Sequence, residues 1–174
     1  MFLQVGKPAP EFSVETVLND QVTKVTSAEL RGKWVVLFFY PLDFTFVCPT
    51  EILEMSSKHE EFKKLNAVVL GGSTDSTFSH MAWVKSTLGT LNYPLFSDMN
   101  REMSRNYGIL IEEKGHALRG TFIIDPEGIL RYHLVHDPSV GRSADETLRV
   151  LSSLQTGELC PANWRPGQKT LGKA

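Results

Sequence analysis

The chain has 174 residues, 41% hydrophobic and 22% charged, which suffices for one compact domain with a real core. A net charge of −2 and a pI of about 6.2, with no basic stripe, argue against a nucleic-acid partner. No apolar run reaches the roughly 18 residues of a membrane span, and the start "MFLQVGKPAPEF" lacks the basic-then-apolar pattern of a signal peptide, so a cytoplasmic location without membrane contact is expected.

In chain order, "VGKPAPEF" reads as an extended entry pinned by its prolines. "SVETVLNDQVTKVTSAELRGK" gives two short strands around a turn at Asn19-Asp20, then a short helical turn. "WVVLFFY" is continuously apolar and predicts a central strand covered on both faces. After Cys48 and Pro49, Ile52, Leu53, Phe62 and Leu65 form a broken apolar stripe at helical spacing. "AVVLGGST" is a second buried strand, and "DSTFSHMAWVKS" a helix with Phe78, Met81 and Trp83 partly on one side. "YPLFSD" is a short strand, followed by a short helix in "NREMSRNYGI" that ends at Gly108. "TFIIDPEGILRYHLV" predicts a hairpin turning at Asp125-Pro126-Glu127-Gly128. "SADETLRVLSSLQ" is an amphipathic helix with Ser143 as N-cap and Glu146 in the capping-box position. The segment "TGELCPANWRPGQKTLGKA" is irregular and is expected to reach outward rather than finish the core. Strands alternating with helices predict an α/β layered domain with a mixed sheet over residues 1–155, and a tail over 156–174.

One of only two cysteines sits in "PLDFTFVCPTE", between the apolar strand and the helix that follows. Pro49 suits the first positions of a helix, which places Cys48 where unpaired N–H groups and the helix dipole favour an anion. An ordinary thiol is only about 3% thiolate at neutral pH, so such a setting matters for a nucleophile. Ionisation alone gains roughly 30-fold, and a fast enzyme also needs donors aimed at the charge that develops on its substrate. Thr45, three residues earlier, can bring its hydroxyl into the same pocket, and Pro41 and Pro49 stiffen the loop. Phe44, Phe46 and Val47 are expected to shield the sulfur from water.

The "PLDFTFVCPTE" stretch resembles the active-site loop of the peroxiredoxins, Pro-x-x-x-Thr-x-x-Cys, in its typical two-cysteine form, a branch that includes the peroxidase component of bacterial alkyl hydroperoxide reductase. "APEF", "STDSTFSHMAW", "LRGTFIID", "VGRSADETLR" and "GELCPANW" also match, in the family's order, from residue 8 to residue 164. The resemblance implies a thioredoxin-like fold and the reduction of hydrogen peroxide and organic hydroperoxides. Cys48 matches the peroxidatic cysteine, which becomes a sulfenic acid. Thr45 and Arg119 match the residues that hold the peroxide and stabilise the leaving oxygen, and Pro41 the shielding proline. Glu51 and Arg142 match a supporting carboxylate and a second arginine. Cys160 matches the resolving cysteine, which in this family usually bridges to the other protomer of a homodimer. Reduction then needs an external dithiol, a thioredoxin-like or flavoprotein disulfide reductase, because the chain has no C-x-x-C of its own. No cofactor is implied. The family also implies assembly of dimers into a decamer, with Phe44 and "DSTFSHMAW" as contacts.

The chain departs from the over-oxidation-prone members in two places: only Leu88-Gly89 of their Gly-Gly-Leu-Gly motif is present, and 14 residues follow Cys160, without a Tyr-Phe helix. Resistance to sulfinic-acid formation is therefore expected. Other readings stand beside these. By residue type alone, Cys48 suits a packed core thiol, Cys160 a surface thiol, Arg119 a surface charge, and Trp83 a core or interface position. A thiol–disulfide oxidoreductase lacks its C-x-x-C, whereas a ring-forming scaffold or chaperone is compatible with the peroxidase reading. Of the five histidines, His133 and His136 lie three apart in a strand and point to opposite faces, and His59, His80 and His116 have no ligand-spaced partner, so no metal site is expected.

Overall fold

The computed structural model describes residues 3–18 and 20–173. Among the described residues nine strands form: β1 Ser13–Leu18, β2 Gln21–Thr26, β3 Trp34–Phe39, β4 Ala67–Ser73, β5 Leu95–Ser97, β6 Leu110–Ile111, β7 His116–Ala117, β8 Arg119–Ile124 and β9 Leu130–His136. The helices are α1 Cys48–Ser57, α2 His59–Lys64, α3 Thr77–Trp83, α4 Glu102–Asn106 and α5 Ala144–Gln155. Seven strands make one mixed sheet in the order β2-β1-β5-β4-β3-β8-β9, and β6 and β7 pair separately. Only β3–β4 and β4–β5 are parallel, so this is a thioredoxin-like α/β layering.

The apolar run of β3 explains its position inside the sheet. Val36, Phe38 and, just past the strand, Tyr40 enter one core with Ile52, Phe62, Trp83 and Leu151. Val35, Leu37 and Phe39 enter the other, with Phe96, Tyr107 and Phe122. Side chains alternate across a strand, so a strand covered on both faces must be apolar at every position. The neighbouring β4 carries Gly71 and Gly72 because a Cβ on the first would collide with the Phe38 ring and one on the second with Phe96.

Several expectations change in the folded chain. The stripe after Cys48 is not one helix: it breaks at Lys58, and Leu53 is exposed while Ile52 and Phe62 are buried. In α3 the buried residues are Thr77, His80 and Trp83, spaced by three, so Phe78 points to solvent at 76% exposure, and a π-helical turn, Val84–Leu88, follows. Ser143 caps α5 by accepting from Glu146 N, but the Glu146 carboxylate takes Arg149 instead of closing the capping box. The tail does not simply reach outward. Trp164 is 5% exposed, and Arg149 of α5 donates to its carbonyl. The turn expected at Asn19-Asp20 falls partly outside the described residues, since Asn19 is not among them; Asp20 has a left-handed φ of 62°. Gly108, just after α4, has a φ of 69°, the conformation that ends a helix most easily at glycine.

Candidate active site

The end of β3 and the start of β8 lie side by side because the two strands are antiparallel, with Phe38 opposite Thr121. The chain leaves β3 through Tyr40 and Pro41, turns, and enters α1 at Cys48. Cys48 is the first helical residue and Val47 the N-cap, one position later in the capping scheme than a first-turn Pro49 alone would suggest. The β8 start thus faces the α1 start, and Arg119 opens β8.

Cys48 is fully buried. Arg119 Nη1 lies 3.3 Å from its sulfur and donates to Glu51 Oε2 at 2.7 Å, while Arg119 Nε donates to the Pro138 carbonyl at 2.8 Å. Glu51, one turn into α1, also accepts from Arg142 N at 2.8 Å, Nε at 2.7 Å and Nη2 at 3.0 Å. The remaining Arg142 nitrogen, Nη1, donates to the Gly120 carbonyl and to Thr121 Oγ1, and the guanidinium lies 5.4 Å from the centre of the Phe38 ring. Burial pushes the Glu51 carboxyl up, but the Arg142 hydrogen bonds and charge, with the Arg119 charge, outweigh it and hold it below its ordinary value. Two guanidinium groups and one carboxylate leave one net positive charge in the buried cluster that meets Cys48 through Arg119.

The loop that delivers Cys48 is braced from the other side. Phe44 has a left-handed φ of 54°, uncommon for a bulky residue. The loop is held there by its neighbour: Asp43 N donates to Asp75 at 2.9 Å, and the Asp43 carboxylate accepts from Tyr40 and Ser79 hydroxyls and meets His80 Nδ1 at 2.8 Å. His80 Nε2 donates to the Phe96 carbonyl at 2.9 Å, which ties the loop to β5. His80 is therefore a brace, and its Nδ1 also lies 3.3 Å from the Tyr40 hydroxyl.

Of the residues expected at the site, Cys48, Glu51, Arg119 and Arg142 converge by direct contacts. Pro41 is buried at the start of the loop. Thr45 is half-buried, and its hydroxyl donates to the Leu42 carbonyl at 2.9 Å rather than resting on the sulfur. Phe46 does not shield the site, since it is 95% exposed, and Phe44 is 58% exposed with its ring 5.8 Å from Trp83. Exclusion of water from the sulfur comes instead from the buried network around it. Cys160 lies elsewhere, partly exposed, with Sγ 3.7 Å from the Ser153 carbonyl near the end of α5. Arg142 stands just before this 12-residue helix, so roughly 15 Å of helix separates the surroundings of the two sulfurs. The Pro138 carbonyl, Thr121 and the Asp43–Tyr40–His80 brace are not foreseen from the sequence. A carbonyl acceptor leaves no trace in residue type, and Asp43 and His80 lie 37 positions apart.

Comparison with known proteins fits this geometry. Residues 5–133 match the AhpC/TSA family, and residues 153–174 match the C-terminal domain of 1-Cys peroxiredoxin. The chain belongs to the AhpC/TSA peroxiredoxins. As a peroxiredoxin it is a thiol-dependent peroxidase, with a hydroperoxide as oxidant and a thiol reductant. It is 57% identical over 175 residues to the Bacillus subtilis (strain 168) protein YkuU, itself named as a candidate peroxiredoxin, covering 96% of this chain and 97% of that one. It is 51% identical over 176 residues to peroxiredoxin prdx-2 of Caenorhabditis elegans, covering 96% and 88%. Among solved structures, reduced 2-Cys peroxiredoxin of Plasmodium vivax superposes with a TM-score of 0.92 at 38% identity, covering 95% of this chain and 91% of that one. Enterococcus faecalis AhpC gives 0.86 at 34% identity, covering 90% and 98%. For a peroxiredoxin of this kind, the Arg119–Glu51–Arg142 cluster is the charged floor on which Cys48 rests.

Proposed function

We propose that the protein reduces hydrogen peroxide and organic hydroperoxides at Cys48 and recycles through Cys160 of a second copy. The Cys48 thiolate attacks one peroxide oxygen; an S–O bond forms, the O–O bond breaks, and the departing hydroxide or alkoxide takes up a proton. Arg119 stabilises the thiolate before the step and the departing oxygen during it. Arg142 and Glu51 fix the plane of the Arg119 guanidinium, and Thr45 and Pro41 shape the approach. The contact that carries this reading is Arg119 Nη1, 3.3 Å from the sulfur and 2.7 Å from Glu51.

The sulfenic acid then condenses with a Cys160 thiol, forming the S–S bond and releasing water. A bridge within one chain would need the two Cα atoms within about 7 Å, far less than the length of α5 allows, so the bridge is read as joining two protomers. A thioredoxin-like or flavoprotein disulfide reductase restores both thiols by exchange. On this reading residues 1–155 are the peroxidase domain and residues 156–174 the tail that presents the resolving thiol. The outer edge of β9, at one end of the sheet, suits pairing of two copies. Exposed Phe44 and Phe78 suit a further contact that closes dimers into a decamer. Cysteines without a structural disulfide suit a reducing cytoplasm.

The match of the tail to a domain named for one-cysteine peroxiredoxins favours a second reading, in which Cys160 is a bystander. Peroxide-dependent NADPH consumption with a thioredoxin system decides between them. On the main reading Cys160→Ser is oxidised once and stops, and non-reducing gels show covalent dimers for the wild type alone. Sustained wild-type turnover by Cys160→Ser would establish the one-cysteine mechanism.

A further inference from the structure

The geometry points to Arg149 as a positioning residue for the disulfide step: its guanidinium latches the Cys160 tail to α5, and this latch must open for the bridge to form. The inference rests on the reading of Cys160 as the resolving cysteine. Arg149 forms a fork with Glu146, Nε to Oε2 at 2.6 Å and Nη2 to Oε1 at 2.8 Å, and its third nitrogen, Nη1, donates to the Trp164 carbonyl at 3.2 Å. The Arg149 hydrogen bond holds the Glu146 carboxyl below its ordinary value, so the fork joins two charged groups and fixes the direction in which Nη1 points.

Beyond Cys160 the tail is largely closed on itself. Trp164 N donates to the Pro161 carbonyl at 3.1 Å, Trp164 Nε1 to the Gln168 carbonyl at 3.0 Å, and Arg165 N to Gln168 Oε1 at 2.8 Å. Leu159 and Leu171 bind each other's neighbourhood, with Leu159 N on the Gly172 carbonyl and Leu171 N on the Leu159 carbonyl. All of these bonds travel with the tail if it lifts. Among the described hydrogen bonds and ion pairs, Arg149 to Trp164 is the one that crosses from the body to the tail after Cys160. The Trp164 side chain, 5% exposed, adds packing to this bond, while open grooves of about 540 Å³ and 500 Å³, both lined by Arg149, flank the tail on its Cys160 and Arg165 sides.

Cys160 meanwhile rests against its own chain, with Sγ 3.5 Å from Thr156 Oγ1 and 3.7 Å from the Ser153 carbonyl. In the disulfide step the Cys160 sulfur attacks the sulfenic sulfur of Cys48. The S–S bond forms, the Cys48 S–O bond breaks, and the oxygen leaves as water with the thiol proton. A sulfur held on Ser153 and Thr156, in a segment pinned four residues later, has to be freed before it can make a bond of about 2 Å.

The test follows the two steps separately in the full chain, by stopped-flow fluorescence and by mass spectrometry of acid-quenched samples. Arg149→Met keeps the apolar stem and removes the donors. Its first oxidation should stay within about twofold of wild type, and its disulfide phase should be about tenfold faster, as expected for losing one hydrogen bond from a charged donor. Reduced Arg149→Met should also show red-shifted tryptophan emission, a shift that the added Trp164→Phe change removes. Arg149→Lys keeps the charge without the fork and should behave like Arg149→Met. A disulfide phase that is unchanged or slower in Arg149→Met overturns the latch, as does a wild-type rate in Arg149→Lys beside a slowed Arg149→Met, which would make the charge itself the active feature. Wild-type protein that forms no Cys48–Cys160 bridge overturns the resolving role of Cys160 and the latch with it.

Discussion

The two ends of α5 hold the chain's two cysteines in opposite surroundings. Near its start, Cys48 is fully buried, and the charged groups around it come from α1, β8 and the segment leading into α5. Near its end, Cys160 is partly exposed in an irregular segment, with its sulfur against a carbonyl and a hydroxyl of its own neighbourhood. On the proposed two-cysteine cycle, the difference matches the chemistry each sulfur would perform. A thiol that must ionise and meet a small oxidant gains from fixed charges in a water-poor site, because preorganised donors need not rearrange during the reaction. A thiol that must travel to another sulfur gains from weak holding, because every contact made at rest has to be broken first. Rigid elements therefore carry the first cysteine and a tail carries the second.

The most severe way to break this comparison is Cys48→Ser, which should reduce peroxide turnover to background in the coupled assay while the circular dichroism spectrum stays that of the wild type. Arg119→Ala comes next. It removes the donor facing the sulfur, and single-turnover oxidation should fall about 100-fold, the scale of losing one oriented donor at a developing charge. Arg119→Lys should recover only part of this, since a lysine cannot bond the sulfur, Glu51 and the Pro138 carbonyl from one plane.

Glu51→Gln tests stability more than rate. The change leaves two buried arginines without their shared carboxylate, and unfolding in urea should show a loss of roughly 3 kcal/mol or more. The pH dependence has a definite sign. The Glu51 carboxyl is held low in the folded state, so its contribution is present above the ordinary carboxyl value and is lost as the pH falls below 4.5 towards and through the lowered folded value. The stability gap between wild type and Glu51→Gln should therefore narrow in acid. A gap that is constant from neutral pH to pH 3 would mean that the charge of Glu51 is not what it contributes.

Much of this contrast can be read in the sequence, for physical reasons that differ between the two ends. The apolar run of β3 and the proline after Cys48 are local signals, and they place a cysteine at a strand-to-helix junction. The resemblance to the peroxiredoxin loop supplies the residue types that surround it. Spacing alone cannot pair Arg119 with Cys48 across 71 residues or Arg142 with Glu51 across 91, because those contacts depend on the antiparallel register of β3 with β8. The expectation that Phe46 covers the sulfur fails for a local reason: apolar character predicts burial on average, but this loop points Phe46 outward and leaves coverage to charged groups that bury one another. The tail is hardest to read. Its Gly and Pro content correctly excludes a helix or strand, yet Trp164 is buried and its carbonyl accepts from an arginine of α5, and nothing in the spacing of the two residues ties one to the other.

The smallest effects separate the two ends of α5 most cleanly, because each comes from one hydroxyl. Ser143 Oγ accepts from Glu146 N at 3.1 Å and caps the start of the helix, close to Arg142 but without touching the sulfur or its guanidinium partners. Ser143→Ala should cost about 1 kcal/mol in urea unfolding, the usual loss for an N-cap, and leave both the oxidation and disulfide phases near wild type. Thr156 Oγ1 donates to the Ser153 carbonyl at 2.8 Å, accepts from Glu158 N at 3.1 Å and lies 3.5 Å from the Cys160 sulfur. Thr156→Ala removes partly exposed contacts and should cost only about 0.5 kcal/mol in stability. Its kinetic signature should be the reverse of its thermodynamic one: first oxidation unchanged, disulfide formation measurably altered, because this hydroxyl helps hold Cys160 at rest. Parallel measurements on the two variants place the boundary. If Ser143→Ala alters the disulfide phase and Thr156→Ala does not, the helix acts as one unit linking the two sulfurs, and the contrast between a rigid end and a releasable end is wrong.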